Sequence, residues 1–103
     1  MIHHSDNLES RWGQFSLAKQ LSNVGSEVSR MIKWRGKNDE IAERAFERML
    51  ELIDLTLRSQ TKGSSLKEIA RAREILVQTW QSSLPPDSPE WNSLNRYFLQ
   101  FAL

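Results

Sequence analysis

Every stretch of apolar periodicity in this chain is helical, and the chain reads as an all-α, four-helix up-and-down bundle. Three observations carry that reading. Apolar residues recur at steps of three and four in four separate stretches. No segment alternates with period two, and no Asn-Gly or Asp-Gly pair marks a hairpin. The residues that break helices are few and spaced: Gly36, Gly63, and the cluster Pro85, Pro86 and Pro89.

The first helix carries Leu17, Leu21, Val24, Val28 and Met31, a stripe one side wide that must face a core. Leu8, Trp12 and Phe15 continue the same spacing backwards, and Asp6 with Glu9 fits a capping box, so a long or kinked helix starting near Asp6 is expected. Gly13 works against the long version, at about 1 kcal/mol relative to Ala inside a helix. The first helix stops at Gly36, after Lys33-Trp34-Arg35.

Asn38 then caps the second helix, with Asp39 and Glu40 in the first turn, where the helix dipole favours acids. Its apolar arc is wide: Ala42, Ala45, Phe46, Met49, Leu50, Leu52, Ile53 and Thr56, flanked by Ile41, Leu55 and Leu57. An arc of that width needs neighbours on two sides, which makes this the expected central helix. On its exposed side Glu40 and Arg44, and Asp54 and Arg58, stand four residues apart with the acid first.

The third helix is expected to open on Ser65 and Glu68 as a capping box, with Ile69, Ala72, Leu76 and Trp80 buried and Ile75 and Val77 flanking them. Residues 82–89 are a Pro-rich connector. Ser88 caps the fourth helix with Pro89 in its first position, and Trp91, Leu94, Phe98 and Phe101 form its stripe. The apolar end, Tyr97 to Leu103, reads as docked rather than frayed.

With 103 residues the chain suits one domain over 1–103, in which 1–13 are either a mobile segment or an extension of the first helix. Fourteen Lys and Arg against 13 Asp and Glu exert no overall pull towards nucleic acid or anionic lipid. The absence of Cys excludes a disulfide scaffold, a thiolate nucleophile and a zinc-finger framework. No apolar run approaches the ~20 residues a membrane span needs, and the N-terminus has no secretory pattern. A cytoplasmic protein with no membrane attachment is therefore expected, and no cofactor is called for.

His3 and His4 are the only histidines, which leaves no His for a triad or a metal centre within the periodic part. Glu43, Glu47 and Glu51 form a ladder on the second helix. Without a facing Glu-x-x-His, and with Arg44 and Arg48 between them, they read as a solvated face. Walker A, GxGxxG, nucleophile-elbow and HExxH patterns are absent.

Three features of the first helix remain as candidates for binding. Ser22, Gly25 and Ser29, with Ala18 and Ile32, make a small-residue stripe beside the apolar one. A Gly inside a helix is costly, so a close contact is expected at Gly25, made either by another helix of the bundle or by a second subunit. Ser22, Gly25, Ser29 and Trp34 are accordingly the candidate interface of a homodimer. Asn23, Glu27 and Arg30, in line with Trp34, form a candidate recognition face. Arg30, Lys33, Trp34, Arg35 and Lys37 gather cations around one Trp, as a nucleic-acid patch would. Cations at a helix C-terminus also simply complement its dipole. Lys67, Arg71 and Arg73 would extend the patch if the helices were adjacent. Of the four Trp, Trp12, Trp80 and Trp91 fall on buried stripes, while Trp34 is the one expected at an interface.

The run Leu21-Ser22-Asn23-Val24-Gly25-Ser26-Glu27-Val28-Ser29-Arg30, followed by Ala42 to Asp54, resembles small uncharacterised prokaryotic helical proteins. The overall plan is similar to the HEPN superfamily of helical bundles. That resemblance implies dimers, and either RNases or partners of minimal nucleotidyltransferases. The superfamily's nuclease motif places a His four to six residues after an Arg on a late helix, and no His follows Arg71, Arg73 or Arg96. The resemblance therefore implies a relative that binds a partner without RNase activity. Three functions follow in order. The first is a non-catalytic interaction module that self-associates or binds a protein. The second is a nucleic-acid-associated bundle using the basic patch. The third is an enzyme with Glu27, Arg30, Glu43 or Glu47 in a groove.

Overall fold

The structure, a computed structural model, describes residues 11–59 and 63–102. They form α1 (Leu17–Trp34), α2 (Asp39–Ser59), α3 (Gly63–Gln81) and α4 (Pro89–Leu99), followed by a 3-10 turn at Gln100–Ala102. There is no strand among the described residues. Cross-helix contacts give the directions. Trp12, just ahead of α1, bonds Thr56 near the end of α2. Asp54 of α2 pairs with Arg73 of α3, and Tyr97 late in α4 meets Glu68 early in α3. Ser29 late in α1 reaches Asn95 in α4. Each helix is thus antiparallel to its neighbours, and the bundle is up-down-up-down.

The helix boundaries follow local chemistry. Arg11 and Trp12 are helical, but the chain then turns, with Phe15 N–H bonded to the Trp12 carbonyl at 3.1 Å. Ser16 caps α1 by accepting the Lys19 N–H at 3.1 Å. Of the long or kinked helix expected through Gly13, the described part is interrupted between Trp12 and Leu17. Its proposed start, Asp6 with Glu9, and His3, His4 and Leu103 lie outside the described residues. Buried Gln20 secures the break, its amide donating to the carbonyls of Trp12 at 2.8 Å and Phe15 at 3.2 Å. Ser59 donates to the Gln20 oxygen in turn, at 3.1 Å.

At the other end of α1, Gly36 takes φ +84°, the left-handed conformation that suits a helix stop. Asn38 accepts the Ile41 N–H at 3.2 Å and caps α2 as expected. Ser65 does not cap α3, which already begins at Gly63. Ser88 and Pro89 start α4 as the sequence predicts, with Ser88 accepting from the Trp91 N–H.

Leu21, Val24, Val28 and Met31 of α1, Met49, Leu52, Ile53 and Leu55 of α2, Ile69 and Leu76 of α3, and Trp91, Leu94 and Phe98 of α4 form the core. Trp12 closes one end of it. The wide arc of α2 does find neighbours on two sides, α1 and α3. The centre is nevertheless shared, because α1 packs against α2, α4 and the 3-10 turn together. Trp80 departs from its expected core position. It is half-buried, stacked flat on Phe46 with ring centroids 4.4 Å apart, and capped by the Arg35 guanidinium 4.7 Å above its ring.

A candidate binding groove between α3 and α4

The small-residue stripe of α1 is where the fourth helix sits. A Cβ on Gly25 would lie 2.7 Å from Phe98 Cβ, closer than side chains normally tolerate. Ser29 donates to Asn95 Oδ1 at 2.7 Å one turn further on. Of the two origins expected for the close contact, the one present is a helix of the same chain. Ser22, Gly25 and Ser29 are thus occupied by α4 and the 3-10 turn, with Leu99 exposed at the edge. Trp34, the fourth candidate, is half-buried on α1 with Lys33 Nζ 5.5 Å from its ring centroid.

The candidate recognition face does not assemble into a pocket. Asn23 bonds back to the Lys19 carbonyl at 2.9 Å within its own helix. Glu27 is largely covered, and its Oε1 has no hydrogen-bond partner among the described residues; Arg30 stands 4.0 Å away and mostly exposed. Glu47 lies on the exposed side of α2; Glu43, also exposed, lines a depression beside Arg35, apart from Glu27 and Arg30. No group of three or more His, Cys, Asp or Glu suited to a metal occurs among the described residues.

The basic run is split. Arg30, Lys33 and Lys37 face solvent, but Arg35 turns inward. Its Nε donates to the Leu84 carbonyl at 3.1 Å and its other end to the Trp80 carbonyl at 3.3 Å. The guanidinium also stands 5.6 Å from the Trp91 ring centroid, so one charge staples the end of α1 to the α3–α4 connector. A depression of about 430 Å³ beside Ser83, Leu84 and Pro86 is lined by this engaged Arg35. Lys67 and Arg71 do not extend the patch. Thirteen residues separate Lys67 from Trp80, about 20 Å along α3, and Arg73 is held by Asp54 at 2.7 Å.

The concave feature that remains is between α3 and α4. These two helices touch only sparingly, and a groove of about 630 Å³ opens between them. Ala72 and Leu94 floor it, and Ile75 stands exposed at its wall. Lys67 and Arg71 line the α3 edge, while Glu90, Ser93 and Tyr97 line the α4 edge. Tyr97 Oη donates to Glu68 Oε1 at 2.7 Å and ties the two helices at one end. Burial, together with the hydrogen bond to Glu68 and its negative charge, raises the Tyr97 phenol well above its ordinary pKa. Neither Lys67 nor Arg71 has an ion-pair partner among the described residues.

No family model, no curated protein and no solved structure matches this chain. The groove therefore has to be read from its own chemistry. An opening of this volume with an apolar floor and a few polar groups at its rim is the usual form of a binding site. Ile75 is legible in the sequence as a residue flanking the buried stripe of the third helix. What sequence could not supply was the spacing between α3 and α4. No described helix is long and apolar enough to cross a membrane.

Proposed function

We propose that this chain is a non-catalytic helical module that binds a protein partner in the groove between α3 and α4. The observation that carries the reading is the groove itself: exposed Ile75 stands over a floor of nearly buried Ala72 and Leu94, where two neighbouring helices fail to close on each other. Exposed apolar surface rimmed by polar groups is what partner sites look like. A cytoplasmic setting without membrane attachment belongs to the same reading, as does the likeness to HEPN bundles that bind partners without cleaving RNA. Self-association through Ser22, Gly25 and Ser29 is given up, since the chain's own α4 fills that stripe. The nucleic-acid reading loses Arg35 to internal bonds.

Selection of helical peptides from a displayed library against the folded protein tests the reading. Binders should be recovered that lose affinity for an Ile75→Asp variant and keep it for a Lys33→Ala variant. Recovery of none, or of binders indifferent to Ile75→Asp, would contradict it.

A further inference from the structure

The groove has a length and a charge layout, and together they describe its occupant. Along α3 it runs from Lys67 to Ile75, eight residues or about 12 Å, a little over two helical turns. Its walls are two antiparallel helices, so a third helix laid between them meets ridges and grooves of the spacing helices pack into. An extended strand would find no sheet edge there to pair with.

The charges are laid out unevenly. On the α3 edge Lys67 and Arg71 lie four residues apart, hence on one face and one turn apart, and both are exposed. They have no ion-pair partner among the described residues; Glu68, on the same helix, accepts from Tyr97 at the end of the groove and keeps its negative charge there. On the α4 edge the acid is Glu90, at the far end, in the first turn of α4. The α3 edge therefore presents Lys67 and Arg71 at helical spacing outside any ion pair among the described residues, with the Glu68 carboxylate turned to Tyr97, and the α4 edge offers one anion, Glu90, beyond them.

Resting on the groove as the binding site, we propose that its occupant is a short amphipathic helix whose apolar face covers Ala72, Leu94 and Ile75 and which carries two acidic residues, four apart, on the edge facing Lys67 and Arg71. The apolar face supplies affinity, and the acids set orientation and partner choice, the division of labour expected of rim charges. A helix with basic residues on that edge would set like charges against Lys67 and Arg71 and be rejected.

The test uses three fluorescent helical peptides of equal length with the same Leu face, differing only in the flanking i,i+4 pair: Glu/Glu, Gln/Gln or Lys/Lys. Each is titrated by anisotropy against the full chain, its Lys67→Glu/Arg71→Glu variant and its Ile75→Asp variant. The wild type should prefer the Glu peptide over the Lys peptide by roughly tenfold at low salt, the preference shrinking as salt is raised. The doubly charge-reversed protein, whose altered side chains are both exposed, should reverse the order. Equal binding of all three peptides, lost in Ile75→Asp, would overturn the acidic-helix proposal and leave the groove reading standing. Failure of every peptide to bind the folded wild type would overturn both.

Discussion

Tyr97 hydrogen-bonds Glu68 across the gap between the last helix and the third, and this single bond closes one end of an otherwise open groove. The bond also carries a pH signature. Tyr97 is the only tyrosine, so ultraviolet difference titration of the phenolate band reads it alone. Its folded-state pKa is raised by burial and by Glu68, above the unfolded value of about 10. Above that pH the unfolded chain releases a proton that the native state keeps, so stability present below pH ~10 falls as pH rises. The native phenol should titrate above the denatured one, and Tyr97→Phe should lose stability less steeply than wild type over that alkaline window. Titration of native Tyr97 at the denatured value would remove the basis for the contact.

Gly25 has no room for a side chain beneath Phe98. Overpacking costs about 1–3 kcal/mol, while Ala in place of a helical Gly regains about 1 kcal/mol. Gly25→Ala should therefore be destabilised by at most about 2 kcal/mol in chemical denaturation, and Gly25→Leu by clearly more. An unchanged Gly25→Leu would mean that α4 does not lie where Phe98 places it.

Arg35 should behave as a structural cation. Hydrogen bonds to a charged donor are worth about 1.5–3 kcal/mol, and its stacking on Trp80 about 0.5–2 kcal/mol. Arg35→Ala should cost about 2–4 kcal/mol of stability, and Arg35→Lys should recover only part, because an ammonium cannot span the Leu84 and Trp80 carbonyls. Full recovery in the Lys variant would show that charge alone matters.

Gln20 is the polar anchor of the N-terminal turn. Gln20→Leu removes the amide bonds to the Trp12 and Phe15 carbonyls, while the Ser59 hydroxyl keeps its bond to the Thr56 carbonyl, a loss of about 1–3 kcal/mol. Trp12, whose indole N–H rests on Thr56 at 3.0 Å, should become more exposed, and a red shift of tryptophan emission reads this. Unchanged stability and emission would show that Trp12 is held by its own packing.

The bundle was legible because its apolar stripes and its punctuation agree. Gly36, Asn38 and Ser88 with Pro89 mark boundaries through bonds made within a few residues, and those bonds are present. The start of the first helix was left open by the sequence for a physical reason. Leu8, Trp12 and Phe15 keep helical register with Leu17, yet Ser16 and Gln20 satisfy the backbone of a turn between them, and Gln20 is itself held by Ser59, thirty-nine residues away. Ser65 and Glu68 have the spacing of a capping box, but α3 begins earlier and the Glu68 carboxylate goes to Tyr97. Arg35 looked like one more cation in a basic run, because nothing local tells that the Leu84 carbonyl lies within its reach. The groove was the least legible feature. It exists through the separation of α3 and α4, which no stripe on either helix encodes.

The central claim is that α3 and α4 form the binding face, and backbone amide chemical-shift mapping with a peptide selected against the folded protein tests it most directly. Shifts should gather on Lys67 to Ile75 and Glu90 to Tyr97, with the Tyr97 amide among the largest. Shifts confined to Arg30 through Lys37 would place binding on the basic end of α1 and contradict the account.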